Sequence, residues 1–204
     1  MRINQQFVAA IALLLGLGAL TTTQAQVKSA DRPEIKVGDS WKTERRDART
    51  KLVQRTDETV VSAVSAGKLD VSINGAPGIM TPDLTVLDGP RVAYDTGYQF
   101  LSFPIEIGKK WSFKTRWHNK ENGNKGRSEF DVEVKAQERI RVASGDFEAY
   151  KIESRGYMYF DAGGSRRVST TYWFAPQAKA IVRFEWADRI DDSISELVEF
   201  SLAP

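Results

Sequence analysis

The sequence predicts an all-β chain, a long antiparallel meander that forms a curved sheet, a half-barrel or a sandwich. Turn signals recur at Gly67, Asn74-Gly75, Asn122-Gly123, Gly145 and Gly163-Gly164, and the runs between them are rich in Val, Ile, Thr and aromatic residues. No stretch keeps a helical period. A third observation is internal: Ile35-Lys36-Val37-Gly38-Asp39-Ser40-Trp41 returns seventy residues later as Ile105-Glu106-Ile107-Gly108-Lys109-Lys110-Trp111. An apolar pair, a glycine, a charged residue and a tryptophan opening an extended run are what a duplicated strand–turn–strand unit would show.

Residues 1–25 contain a single charge, Arg2, then an apolar stretch from Phe7 to Leu20 and the sequence Thr23-Gln24-Ala25. This predicts a secretory signal peptide cut before Gln26 and hence a periplasmic, exported protein. The stretch is short for a membrane span, and no cysteine follows it to carry a lipid, so no stable membrane anchor is expected after cleavage. No Arg-Arg pair precedes it, which points to export in an unfolded state.

Residues 26–34 are polar, include Pro33 and are expected to be a flexible lead-in. A single β domain, 35–204, follows, with candidate repeat units 35–104 and 105–204. In the first half the extended runs are 41–46, 51–65, 69–73 and 79–87. The segment 88–104 is long for a turn and carries Pro90, Tyr94, Tyr98, Phe100, Phe103 and Pro104. It is expected to cover an open sheet end or to act as a lid.

Period-two alternation is clearest in the second half. Trp111, Phe113, Thr115 and Trp117 share one parity, and Lys110, Ser112, Lys114, Arg116 and His118 share the other. The next run sets Phe130, Val132, Val134 and Ala136 against Asp131, Glu133 and Lys135. With the polar connection 119–126 between them, the two runs predict a hairpin whose basic and acidic outer faces meet. Further runs lie at 147–160, 168–175, 180–187 and 194–202. The repeat extends to Val64-Ser65-Ala66-Gly67-Lys68-Leu69 against Val142-Ala143-Ser144-Gly145-Asp146-Phe147. The larger offset fits an insertion in the 119–126 loop, and the alternative is two hairpins that share turn chemistry without common ancestry.

Composition narrows the chemistry. There is no cysteine, so stability must come from apolar packing, and a formal charge of +2 with interleaved signs argues against nucleic acid as a partner. His118 is the only histidine, placed where a turn-flanking surface residue would be. With it and no thiol, neither a metal nor another cofactor is expected. Asp188-Arg189-Ile190-Asp191-Asp192 lacks the spacing of a calcium loop and reads as a charged hairpin turn. Asp131, Glu133, Glu153 and Glu185 could supply a glycosidase pair, but their parity is that of an ordinary outer face. Gly163-Gly164-Ser165-Arg166-Arg167 leads into a strand rather than a helix, so it reads as a turn followed by two exposed arginines. No catalytic residue is assigned.

The most distinctive strand is Thr170-Thr171-Tyr172-Trp173-Phe174-Ala175-Pro176, with aromatics on both faces. Such a strand is central in a two-layer core or lines a ligand cavity on one side. The candidate ligand-binding face comprises Trp111, Phe113, Trp117, Tyr172, Phe174, Phe184 and Trp186. Trp41 is assigned to packing, and the ligand surface is sought in the second half.

Val37-Gly38-Asp39-Ser40-Trp41, the run from Leu101 through Phe103-Pro104-Ile105 to Trp111, Ser144-Gly145-Asp146-Phe147-Glu148-Ala149-Tyr150-Lys151-Ile152 and Thr171-Tyr172-Trp173-Phe174-Ala175-Pro176 together resemble a family of uncharacterised exported β-rich proteins of Gram-negative bacteria. The pattern spans about Val37 to Phe184. It departs from the family at Ala143-Ser144-Gly145, where a proline often precedes Ala-Gly. The resemblance implies a periplasmic β-rich protein. The long sheet and the Tyr-Trp-Phe-Ala-Pro strand end are also similar to the half-barrel of the LolA/LolB lipoprotein carriers, which hold acyl chains in an apolar concavity. Neither resemblance supplies catalytic residues.

The functional expectation is a non-catalytic periplasmic binding or carrier module for a lipid or another apolar or amphipathic ligand. The alternative is a cell-envelope interaction or assembly factor that binds an envelope protein through sheet edges or an exposed aromatic loop, Tyr94 to Phe100. An envelope hydrolase ranks third.

Overall fold

The computed structural model describes residues 29–204. The signal peptide read at 1–25, its cut and the first residues of the lead-in lie outside the described residues. Fourteen strands follow in order: β1 (Ser29–Ala30), β2 (Ser40–Asp47), β3 (Val53–Ser65), β4 (Lys68–Ile73), β5 (Ala76–Met80), β6 (Val86–Asp88), β7 (Val92–Tyr94), β8 (Ile105–Glu106), β9 (Lys110–Asn119), β10 (Lys125–Val142), β11 (Gly145–Phe160), β12 (Ser165–Ala175), β13 (Ala180–Ala187) and β14 (Ser193–Ser201).

Twelve of them form a closed antiparallel barrel in the order β10-β11-β12-β13-β14-β2-β3-β4-β5-β6-β7-β9, with β9 returning to β10. The meander predicted from sequence is therefore present, and two long-range pairings close it. β14 pairs with β2 from Ser193↔Asp47 to Ser201↔Ser40, and β7 pairs with β9 from Val92↔Asn119 to Tyr94↔Trp117. Closure removes the free sheet edges that would otherwise invite pairing with another chain.

The β9–β10 hairpin has the register that its charges imply. Lys110 stands opposite Glu133, Ser112 opposite Asp131 and Lys114 opposite Glu129. Lys114 Nζ lies 3.2 Å from Glu129, and the Ser112 hydroxyl donates to Asp131 at 2.7 Å. The run 79–87, expected as one strand, is two. Pro82 follows Thr81, Leu84 takes a left-handed φ of 60°, and the Thr81 N–H donates to the Thr85 carbonyl, so the chain turns between β5 and β6. Part of the polar lead-in is held in place: β1 pairs with β8, and Ala30 is buried in the first core.

The interior divides into two cores on opposite faces of β12. Tyr172 and Phe174 belong to the first, with Phe113, Phe130, Val134 and Ile152; Trp173 and Ala175 belong to the second, with Trp41, Val61, Leu69 and Leu197. The register of β10 against β11 shifts between Val134 and Ala136. On β11 the adjacent residues Ala149 and Tyr150 point to opposite faces and are buried one in each core, and the hairpin passes from the first core to the second.

Each core holds one copy of the repeated motif. Gly38 (φ 93°) donates to the Val61 carbonyl, the Val61 N–H donates to Asp39 and the Asp39 N–H donates to Lys36. The second copy repeats all three bonds, Gly108 (φ 86°) to Val134, Val134 to Lys109 and Lys109 to Glu106. A positive φ at both glycines explains why that position is kept while its neighbours differ. The further match at 64–69 and 142–147 is looser, because Gly67 lies within its two-residue turn whereas Gly145 follows the turn at Ala143-Ser144.

Gly156 on β11 lies directly opposite Phe130. A Cβ there would fall 2.0 Å from the Glu129 carbonyl oxygen and 2.8 Å from the Phe130 ring. Gly156→Ala is expected to destabilise the fold by about 2 kcal/mol through forced displacement of the β10–β11 ladder. Urea denaturation measures this, and an unchanged midpoint would rule out so close an approach.

Candidate functional site

One end of the barrel opens into a cavity of about 710 Å³. Its walls come from β2, β3, β7, β9, β11, β12, β13 and β14 and from the turns after β9 and β13. Those turns connect strands at the same end of the antiparallel ring, so the cavity is the mouth of the lumen.

The segment between β7 and β8 makes its floor. It neither caps the sheet end from outside nor stands away as a lid; it enters the barrel. Tyr98 is 5% exposed, and its ring packs against Tyr94, Phe100, Phe113 and Phe130 at centroid separations of 4.6–5.6 Å. The inserted backbone finds partners, as it must once it leaves water. The Tyr172 hydroxyl donates to the Phe100 carbonyl at 2.6 Å, and the Trp111 indole N–H donates to the Gln99 carbonyl at 3.2 Å. The aromatic loop expected to be exposed at 94–100 is thus turned inward, because Tyr98 and Phe100 gain more from burial among rings than a short surface loop could provide.

Of the seven candidate ligand-binding residues, Trp117, Phe184 and Trp186 line the cavity. Phe113, Tyr172 and Phe174 are buried in the solid core beneath it. Tyr172 supports the site from below, its ring stacked 5.7 Å from Phe184, which in turn stacks on Trp186. Trp111 is half-buried at the flank of the first core, beside a hollow on the outer surface lined by Lys110, Asp131, Glu133 and Arg155. That outer hollow, which Trp111 itself helps to line, shares no residue with the cavity at the barrel mouth.

The same lining carries charged residues that strand parity alone did not reveal. Arg45 on β2, Arg55 on β3 and Arg166 on β12 line the cavity together with Asp188 and Asp191. The first half of the chain therefore contributes directly to the site, as does Arg166, which the sequence reading placed outside. Its neighbour Arg167 is exposed. Arg166 pairs with Asp188 at 2.8 Å, and Arg45 with Asp191 at 2.5 Å. Arg55 pairs through Nε with Asp57, which also receives Arg91 at 3.3 Å.

Asp188 organises the turn that follows β13. Its carboxylate accepts the backbone N–H groups of Ile190 and Asp191 at 2.9 and 2.8 Å. Burial alone would raise its pKa, but these bonds and the Arg166 guanidinium outweigh it and hold the carboxyl below the usual range. The acidic run is thus a self-capped turn, and among the described residues no group of three or more His, Cys, Asp or Glu side chains is placed to hold a metal ion. His118 is exposed on β9.

Burial acts on the tyrosines at and beneath the cavity. Burial pushes the Tyr94 phenol up to about 12 and raises those of Tyr98 and Tyr172 further. All three stay neutral near pH 7. On the outer surface Glu133 and Glu153 stand opposite one another across β10 and β11. The hydrogen bond from Lys135, helped by the charge of Lys110, outweighs desolvation and holds the Glu133 carboxyl low. A general acid needs the opposite shift.

Three polar atoms on the cavity lining are buried without a hydrogen-bond partner: the Tyr98 hydroxyl, Trp117 Nε1 and Arg45 Nε. Buried donors in native proteins nearly always have partners, so these three unpartnered groups, among the described residues, set the lining apart from the solid core beneath it.

No protein-family model and no curated protein matches the chain. Solved structures do resemble it in fold. A candidate lipoprotein from Parabacteroides distasonis aligns with a TM-score of 0.59 at 14% identity, covering 85% of this chain and 100% of that one. A candidate exported protein with a YmcC-like fold from Bacteroides fragilis aligns at 0.57 and 14% identity, covering 84% and 99%. The hypothetical lipoprotein YmcC from Escherichia coli aligns at 0.52 and 9% identity, covering 81% and 85%. At these identities the likeness is one of architecture, and the chain shares the YmcC-like β fold over most of its length.

Proposed function

We propose that the protein is a non-catalytic binding or carrier module of the bacterial cell envelope, exported to the periplasm, that holds one amphipathic ligand in the barrel mouth. The observation that carries this reading is a cavity of about 710 Å³ whose lining combines the aromatics Trp117, Phe184 and Trp186 with charged side chains. That volume falls within the roughly 300–1,000 Å³ typical of small-ligand pockets. Similarity in fold to exported proteins and lipoproteins supports the envelope setting, as does the secretory signal read at 1–25. An apolar concavity used to carry acyl chains, as in LolA/LolB, is the functional analogy. A role in protein–protein assembly loses its main motive once Tyr98 is inside the barrel.

The test is native mass spectrometry of protein extracted gently from the periplasm, combined with titration by dodecanol and dodecanoate followed through tryptophan fluorescence. A lipid-sized adduct and saturable binding are expected. Trp186→Ala should weaken that binding about tenfold, the equivalent of losing roughly 1.4 kcal/mol of contact. No adduct together with no saturable response to either compound would sink the carrier reading.

A further inference from the structure

We infer that the ligand is an anionic amphiphile, with a carboxylate or a phosphate monoester at its polar end, seated against Arg45 and Arg55 while its alkyl chain lies along Phe184 and Trp186. This rests on the carrier reading and specifies its substrate class.

Three side-chain donors of the lining lack an acceptor. Arg45 Nε and Trp117 Nε1 can only donate, and the neutral Tyr98 hydroxyl can donate as well; all three are buried without partners. Trp117 and Tyr98 are themselves more than nine-tenths buried. A cationic or purely apolar headgroup would leave these donors unmet, whereas a carboxylate or phosphate offers only acceptors. The charge balance has the same sign, since the lining carries three guanidinium groups against the carboxylates of Asp188 and Asp191. Asp57 lies close by but is shared between Arg55 and Arg91. Burial lowers the Arg55 pKa, opposed first by Asp57 and aided less by Arg91 and Arg45, so this guanidinium is poorly solvated. Arg45 engages Asp191 through Nη2 and Arg55 engages Asp57 through Nε. Each planar fork thus has further N–H groups in the geometry that carboxylate and phosphate oxygens accept in pairs.

The experiment compares ligands of one chain length on the full exported chain at pH 7, by calorimetry: dodecanoate, dodecyl phosphate, dodecanol, dodecylammonium and inorganic phosphate alone. Dodecanoate and dodecyl phosphate are expected to bind at least about tenfold more tightly than dodecanol, as one added charge-assisted bond implies, with dodecylammonium weakest. In Arg45→Met and Arg55→Met the preference for the anions should fall to about threefold or less while dodecanol binding stays within about twofold. Equal affinity for dodecanoate and dodecanol in the wild type overturns the inference with the carrier reading intact, and this comparison needs no variant to fold. Retention of the full preference in both folded variants overturns the assignment to these arginines. Inorganic phosphate binding as tightly as dodecyl phosphate would show an anion site without an amphiphile. Absence of binding by every alkyl compound overturns the carrier reading and the inference with it.

Discussion

Asp39→Ala is expected to lower the unfolding free energy by about 3–5 kcal/mol. Asp39 is 0% exposed, and its carboxylate ties its own turn to two remote parts of the chain. It accepts the backbone N–H of Lys36 at 2.9 Å, the backbone N–H of Ala203 at 2.8 Å and the Lys179 ammonium at 2.9 Å. Lys179 ends the 3-10 turn Pro176–Ala178 between β12 and β13, and the Ala178 carbonyl of that turn accepts the Trp41 indole N–H at 2.7 Å. Alanine would leave a largely buried ammonium and two backbone donors without an acceptor, and it would free the C-terminal residues from the start of β2. Asp39→Asn should cost less, since it keeps the shape and part of the hydrogen bonding. The pH dependence has a definite sign. Burial pushes the Asp39 pKa up, but the Lys36, Lys179 and Ala203 bonds outweigh it, so the folded value lies below the ordinary 3.8. A depressed folded pKa stabilises fully above the unfolded value and ceases to as pH falls from there through the folded value. Equilibrium urea denaturation of the wild type and both variants at pH 7 and near pH 2.5 checks this. The difference should be large at the first pH and smaller at the second; variants within about 1 kcal/mol of wild type at pH 7 would refute the clamp.

What could be read from the sequence was whatever depended on neighbours along the chain. The β9–β10 register was legible because its two faces meet different media: Phe113 and Trp117 on one parity, Lys110 and Lys114 opposite Glu133 and Glu129 on the other. The repeated Gly-x-x-Trp turns were legible because a positive φ demands glycine locally, whatever core the tryptophan later joins. Closure was not legible. The β14–β2 pairing joins Ser-Ile-Ser-Glu to Arg-Arg-Glu, and nothing in their composition distinguishes a closing seam from a free edge. The site was half legible for a related reason. Parity assigned Trp117, Phe184 and Trp186 to the interior, but the same rule treats arginine as outward, so the inward parity of Arg45 with Trp41, and of Arg166 with Val168 and Tyr172, carried a signal that composition masked. A polar residue on an apolar parity is the mark of a cavity rather than of a solid core. The floor was beyond reach because the inserted segment has no period. Its place follows from tertiary partners, the Tyr172 hydroxyl and the Trp111 indole, that lie far away in sequence.

That inserted floor yields the second large effect, and Tyr98 separates its two roles. Tyr98→Ala is expected to destabilise the protein by about 3–5 kcal/mol, because it removes a ring in contact with four others and leaves a void the barrel cannot close. Tyr98→Phe keeps all four ring contacts and deletes only a hydroxyl that is buried without a partner. An unpaired buried hydroxyl costs about 1–3 kcal/mol, so the phenylalanine variant is expected to be as stable as the wild type or more so when empty. The same variant should bind dodecanoate several-fold more weakly, since the donor it lacks is then the one the anion would have met. Thermal or urea unfolding of both variants, with and without saturating dodecanoate, separates the outcomes. If Tyr98→Phe were destabilised by more than about 1 kcal/mol when empty, the hydroxyl would have a partner within the protein and would not be free to meet an anion.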